Sequence, residues 1–99
     1  MDTKEQLKEN AEFVLAKFTE NFEISKVSHK ELGDEYGFSF EIVSYAQDGT
    51  PNDDGIPFTV TILSDGYLDV YRDDANVCVE FSVEDFEDHN FFDNFLEQF

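Results

Sequence analysis

The stretch FTVTILSDGYLDVYRDDANVCVEF, residues 58–81, decides the fold. Apolar and polar residues alternate through it in three runs, which is the pattern of β-strands with one buried face. Asp65-Gly66 is a two-residue hairpin signal between the first and second runs, and residues 73–76 make a turn into the third. Because such short connections join antiparallel neighbours, the stretch predicts an antiparallel meander.

Two further strands and an N-terminal helix are predicted upstream. Period-two runs over 22–30 and 38–45 indicate strands joined at a Gly33-Asp34 turn, and the breaker-rich segment 47–56 indicates a polar loop. Thr3 and Gln6 have capping-box spacing at the start of the helix. The apolar stripe of this helix comprises Leu7, Ala11, Val14, Leu15, Phe18 and Phe22. Phe13 lies off that stripe and is a candidate dimer or partner contact.

Strand parity sorts the sheet residues onto two faces. We predict a single two-layer α+β domain over residues 1–99, with both helices on the apolar face of a four- to five-stranded meander. The apolar face comprises Phe38, Phe40, Ile42, Phe58, Val60, Ile62, Leu68, Val70, Val77, Val79 and Phe81. The opposite face comprises Ser39, Glu41, Val43, Tyr45, Thr59, Thr61, Tyr67, Asp69, Tyr71, Cys78 and Glu80. A one-residue slip in register would exchange the two faces.

The C-terminal segment has apolar residues on two sides of a helix. At 100° per residue, Val83 and Phe86 fall opposite the arc formed by Phe91, Phe92, Phe95, Leu96 and Phe99. One straight helix cannot bury both sets. We predict a break near residues 88–90, with Asn90 capping a short second helix and the later apolar residues closing the core. The alternative is a continuous helix that exposes Val83 and Phe86.

Negative charge is the outlying property of the chain. Its 24 acids and 6 bases give a formal net charge of −18. Residues 1–33 hold seven acids and five lysines, whereas residues 34–99 hold seventeen acids and one base, Arg72. Such a field repels nucleic acids and anionic membranes and attracts a basic protein surface. We therefore expect a basic protein as partner, and no direct binding of nucleic acid or membrane.

The sequence contains no catalytic or cofactor motif, so we expect a protein that is not an enzyme and carries no cofactor or metal. His29 lies in a polar strand and is interpreted as a solvated residue. Asp85, His89 and Asp93 would share a face of a continuous helix, but one imidazole and two carboxylates make a poor metal site. The acidic segments 48–55 and 73–74 lack the ligand spacing of a calcium loop.

A single cysteine, Cys78, cannot form an internal disulfide. No cation neighbours it in sequence to lower its pKa, which favours an inert, buried or semi-buried thiol. The chain has no apolar run long enough to span a membrane, and its first residues lack the pattern of a signal peptide. The expected location is a reducing cytoplasm.

Recognition of a basic surface is the function that these features favour. Carboxylates on a rigid sheet and helix can occupy the positions where a protein groove would otherwise hold phosphates. The leading hypothesis is an acidic inhibitor that mimics DNA or RNA and binds the basic nucleic-acid-binding surface of another protein, as phage-type anti-restriction or anti-CRISPR inhibitors do. Alternatives are an immunity protein for a co-encoded basic toxin or nuclease, an acidic chaperone or assembly subunit that uses apolar surface, and acidity that only maintains solubility.

The predicted contact residues are acids, with tyrosines as interface anchors. They are Glu41, Tyr45, Tyr67, Asp69, Tyr71, Asp73, Asp74, Glu80, Glu84, Asp85, Glu87 and Asp88. Both a monomer and a homodimer are compatible with the sequence. Crowding of carboxylates is expected to raise their pKa values by like-charge repulsion, so that stability rises on mild acidification.

Overall fold

The structure is a computed structural model that describes residues 3–52, 55–88 and 90–99. Helix α1 is followed by an antiparallel sheet in the order β1-β2-β3-β4-β5 and by two short 3₁₀ helices. The bounds are α1 Thr3–Asn21, β1 Ile24–Leu32, β2 Glu35–Ile42, β3 Ile56–Ile62, β4 Tyr67–Arg72, β5 Val77–Ser82, η1 Val83–Glu87 and η2 Phe91–Gln98. The predicted meander and α+β fold class are confirmed.

Helix α1 covers the sheet with the predicted apolar stripe. Leu7, Ala11, Val14 and Phe18 are buried, because they repeat at the spacing that keeps one helical face on β2 and β3. Phe18 lies at the centre of a cluster of aromatic rings that includes Phe40, Phe86, Phe92 and Phe95, with centroids 4.8–5.5 Å away. The side chain of Thr3, the predicted helix cap, lies outside the described part of the chain.

The register of β2 to β5 confirms the predicted faces of the sheet for the residues within these strands, whereas Val43 and Tyr45 lie beyond the end of β2 at Ile42. Phe40 pairs with Phe58, and Val60 pairs with Val70, so the apolar residues form continuous rows under α1 and the 3₁₀ helices. Val77 and Val79 are only half-buried, because they lie on the edge strand β5. The opposite face of the sheet has no described element packed on it.

Strand β1 departs from simple alternation at a β-bulge. Ser25 pairs with Glu41 and Ser28 with Ser39, so Lys26 and Val27 together oppose one residue of β2. Lys26 adopts a left-handed backbone conformation, with φ of 55°. A bulge of this kind bends the strand and increases its twist. Residues 26–32 are exposed, because this part of β1 extends past the area of the sheet that α1 covers.

Two connections differ from their predictions. The loop of the β3–β4 hairpin has three residues, Ser64 to Gly66, and not the predicted two. Leu63 and Tyr67 close this loop, because the Leu63 N–H donates to the Tyr67 carbonyl at 2.9 Å. Gly66 takes a φ of +88°, as the last position of such a loop requires. The predicted polar loop after β2 contains a small hairpin over 44–52, in which Ala46 N–H donates to the Thr50 carbonyl at 2.8 Å.

The C-terminal segment is broken as predicted, between η1 and η2. The break places Phe86, which is 1% exposed, and Phe95, which is fully buried, on the same core. Asn90 precedes η2 but makes no capping hydrogen bond with its side chain, so its predicted capping role is wrong. Leu96 was expected in the core and is 36% exposed, because η2 is a 3₁₀ helix rather than an α-helix and its faces are spaced differently.

Candidate partner-binding surface

An unpaired acidic patch lies on the uncovered face of β4 and β5. Asp69 is directly opposite Glu80 in the register of these strands, and its other cross-strand neighbour is Thr61. Within the described residues, neither carboxylate has an ion pair or a hydrogen bond to its side chain. Like charges directly opposite each other destabilise a sheet, so this arrangement does not serve the stability of the fold.

The 3₁₀ helix η1 continues this patch around the edge of the sheet. Its residues Glu84, Asp85 and Glu87 are exposed, as is Asp88, which follows it. Asp85 also accepts a hydrogen bond from the Ser82 N–H at 2.9 Å, which holds the start of η1 against β5. We call Asp69, Glu80, Glu84, Asp85, Glu87 and Asp88 the acidic edge. A cleft of about 460 Å³ opens between its β5 and η1 parts and the β3–β4 hairpin.

Two of the predicted tyrosines flank the acidic edge. Tyr67 is 47% exposed at the start of β4, opposite Ser82. Tyr71 is half-buried, and its hydroxyl donates to the Asn76 side chain in the β4–β5 turn. Both therefore lie near the acids with which they were predicted to act.

Cys78 is exposed, and its predicted burial is wrong. It pairs with Tyr71 on the uncovered face of the edge strand β5, where no described element packs. Desolvation raises the pKa of the Cys78 thiol, and the charges of Asp69 and Glu80 raise it further. The protonated thiol is a poor nucleophile, as the absence of a neighbouring cation in the sequence indicated.

Glu41 is bound within the fold rather than free for a partner. Its Oε1 accepts the Gly55 N–H at 2.9 Å, and its Oε2 lies 3.3 Å from the Lys26 ammonium. The backbone hydrogen bond from Gly55 is the main cause that lowers the pKa of Glu41, with Lys26 contributing less. Glu41 therefore links the bulge of β1 to the loop before β3, which the sequence prediction missed.

The acids of the β4–β5 turn also have partners within the chain. Asp74 lies 2.6 Å from Arg72 Nε, and this hydrogen bond lowers the pKa of Asp74. Asp73 accepts hydrogen bonds from the Thr59 hydroxyl at 3.2 Å to each oxygen. Both carboxylates are exposed, but each already accepts a hydrogen bond from a side chain of the same domain.

Three carboxylates with clear shifts have lowered pKa values, contrary to the expectation from like-charge crowding. Besides Glu41 and Asp74, Asp48 has a lowered pKa because the Thr50 hydroxyl and N–H donate to it, at 2.7 and 3.0 Å. Specific hydrogen bonds to the charged form outweigh the repulsion at these positions.

Tyr45 lies apart from the acidic edge, and its predicted place on the sheet is wrong. Strand β2 ends at Ile42, and Tyr45 belongs to the hairpin over 44–52, where it pairs with Pro51 in an isolated bridge. Its hydroxyl donates to the carboxylate of Glu23, just before β1. This hydrogen bond raises the pKa of Tyr45. Glu23 was not among the predicted contact residues, and only its position next to a strand could have suggested a role.

The candidate metal ligands do not form a site. The set of Asp85, His89 and Asp93 required a continuous helix, which the chain does not form, and His89 itself lies outside the described residues. Across the described ranges, no group of three or more His, Cys, Asp or Glu side chains is placed to hold a metal ion. Among the described helices, none is long and apolar enough to cross a membrane.

Comparison with protein-family models, with curated protein sequences and with solved structures finds no match for this chain.

Proposed function

We propose that this chain is a non-enzymatic acidic inhibitor whose acidic edge binds the basic, nucleic-acid-binding surface of another protein in the cytoplasm. The acids would take the place of the phosphates of DNA or RNA, as in anti-restriction, anti-CRISPR or similar anti-defence inhibitors. The observation that carries the proposal is the cross-strand pair of Asp69 and Glu80, which opposes two carboxylates without a described base.

The electrostatic argument concerns where the unpaired acids lie. Glu41 and Asp74, which are paired with Lys26 and Arg72, contribute little free charge to a partner. The acidic edge has no described ion pair. Asp85 and Asp88 each accept one backbone N–H, from Ser82 and Asn90 at 2.9 Å, but no cation neutralises their exposed charges in the described structure. A basic groove that accepts it would gain charge complementarity, fast steered association and release of bound counter-ions.

The magnitude of the charge supports a role beyond solubility. A net charge of about 2–8 in magnitude keeps a small domain soluble. The value of −18 is well beyond that range, and excess charge of one sign destabilises a compact state. Among the described residues, five large hydrophobic side chains are exposed, and they are divided among β1, the 44–52 hairpin, the start of β4 and η2, which is a poor basis for a chaperone surface. They are Val27, Leu32, Tyr45, Tyr67 and Leu96.

A capture experiment with DNA as competitor tests the proposal. The immobilised chain is incubated with a lysate of the organism that encodes it, and bound protein is eluted with duplex DNA at constant ionic strength. We expect DNA to release the captured partner, because both ligands compete for one basic surface. Salt at about 0.5 M should release it too, since the screening length then shortens to a few ångströms. A partner that stays bound under saturating DNA contradicts the proposal.

A further inference from the structure

Tyr45 is the most exposed of the large hydrophobic side chains reported in the structure, at 52%, yet its position is fixed at both ends. Its hydroxyl donates to Glu23, and its backbone pairs with Pro51 in the hairpin over 44–52. Asn52 closes this hairpin with a hydrogen bond from its N–H to the Ser44 carbonyl at 2.9 Å. An exposed ring that is already ordered loses little conformational entropy when a ligand packs on it.

The ring of Tyr45 and the carboxylate beside it favour the binding of a cation. An aromatic face attracts a guanidinium or ammonium group through its quadrupole, and an adjacent carboxylate adds a full negative charge. Glu23 is exposed and bound to the hydroxyl of the same ring, so a cation over the ring would lie close to it. A guanidinium suits this arrangement better than an ammonium, because its plane stacks on the ring while its N–H groups can reach the carboxylate.

The chain contains an intramolecular example of the same interaction. Phe13, which was a candidate partner contact, is half-buried against the core, and the Lys17 ammonium lies 5.5 Å from its ring centroid. That ring is already occupied by a cation of the chain. Lys26 and Arg72 are engaged elsewhere, with Glu41 and Asp74.

We propose that the ring of Tyr45 and the carboxylate of Glu23 together bind the guanidinium of an arginine side chain on the basic partner. This inference rests on the proposed function for the identity of the partner. The site lies at the β1–β2 side of the sheet, whereas the acidic edge lies at the β4–β5 side. The partner is therefore held at two separate places, and the second contact recognises one particular side chain.

The experiment uses arginine amide as the probe and tyrosine ring NMR signals as the readout. We expect arginine amide to shift the Tyr45 ring signals with a saturable dependence, and citrulline amide, its uncharged analogue, to leave them in place. Tyr36 provides the internal control, because it lies on β2 away from the acidic edge and its hydroxyl is hydrogen-bonded to His29 Nδ1, at 3.2 Å, and not to a carboxylate. Its ring signals should move much less. Lysine amide should bind more weakly than arginine amide.

Two variants separate the parts of the site. Glu23→Gln should weaken the binding of arginine amide about fourfold, which corresponds to the attraction between two unit charges about 5 Å apart in water. Tyr45→Phe keeps the ring and should retain more of the affinity than Tyr45→Ala, in which the shift of the Glu23 amide signal should be lost. Equal shifts of the Tyr45 and Tyr36 rings, or an unchanged affinity in both Tyr45→Ala and Glu23→Gln, would overturn the inference.

The outcome is independent of the test of the proposed function. If arginine amide fails to select Tyr45 while duplex DNA still releases the captured partner, this site is wrong and the acidic inhibitor stands. If arginine amide binds at Tyr45 but the captured partner resists DNA, the cation site exists and the mimicry of nucleic acid is wrong.

Discussion

The two sides of the sheet carry their acids in different ways. On the β1–β2 side, Glu41 accepts the Gly55 N–H and pairs with Lys26, so the carboxylate stabilises a bulge and a loop. On the β4–β5 side, Asp69 and Glu80 oppose each other without a described partner. The comparison shows that net charge alone does not locate a binding surface. We propose that the binding surface lies where the acids have no ion pair within the described structure.

The largest change in the free energy of unfolding is expected at Phe86, which attaches the acidic edge to the core. Phe86 is 1% exposed and its ring centroid lies 5.5 Å from that of Phe18, whereas Glu84 in the same turn is exposed. Phe86→Ala should destabilise the fold by about 3–5 kcal/mol. Glu84→Gln should change stability by less than about 0.5 kcal/mol. Urea unfolding measures both, and equal losses would show that the charge of η1 is structural.

The next largest change in the free energy of unfolding is expected at Gly55, whose N–H donates to Glu41. A Cβ at this position would lie 2.5 Å from the Ile42 carbonyl oxygen, which belongs to the backbone of β2 and cannot move alone. Gly55→Ala should destabilise the fold by about 1–3 kcal/mol.

Gly37→Ala is the matched control for Gly55→Ala. Its added Cβ would meet the end of the Leu32 side chain at 3.2 Å, and that side chain is 39% exposed and can move. We expect Gly37→Ala to lose less stability than Gly55→Ala when both are measured by thermal unfolding. If the two alanine variants were equally stable, the close approach at Gly55 would not be a constraint on the fold.

A smaller effect, of opposite sign, is expected at Glu80. Removing one of two directly opposed charges relieves repulsion, so Glu80→Gln should raise stability by about 0.2–1 kcal/mol at low salt. The gain should shrink as added salt screens the pair. A loss of stability at low salt would mean that Glu80 has a stabilising partner, and would remove the main support for the proposed function.

The smallest effect is a pH dependence at Glu41. Its folded pKa is lowered from an ordinary value of 4.5, so its charged form stabilises the fold above that pH. This contribution is lost as pH falls from 4.5 through the lower folded pKa. The stability difference between wild type and Glu41→Gln should therefore be present at neutral pH and shrink as the pH falls below 4.5. A difference that did not change as the pH fell below 4.5 would assign the effect to packing instead of charge.

Strand alternation was sufficient to predict most of the fold. The buried rows of β2 to β4 follow parity from Phe38 to Val70, and the two apolar sides of residues 83–99 required the break that the structure has. The β1 bulge was not predictable, because Lys26 takes a left-handed conformation that usually belongs to glycine. The hairpin over 44–52 was missed because it buries no apolar face and so leaves no period-two signal.

The candidate site was predictable only in part, since sequence position does not reveal which acids are paired. Asp69 and Glu80 were placed together by strand parity, and the register agrees. Glu41 and Tyr45 had the same apparent parity, but their partners Gly55 and Glu23 are 14 and 22 residues away in the chain. Such contacts depend on how the loop after β2 folds back, which local patterns do not encode.

The most direct test compares removal of two charges from each side of the sheet. Asp69→Asn with Glu80→Gln, and Glu31→Gln with Glu35→Gln on β1 and β2, change the net charge equally. In the capture experiment with DNA as competitor, we expect the first pair to weaken partner binding about tenfold or more, as loss of about 1.4 kcal/mol would do. The second pair should change it by less than about twofold. Equal weakening by both pairs would contradict the account, because the partner would then respond to total charge and not to the acidic edge.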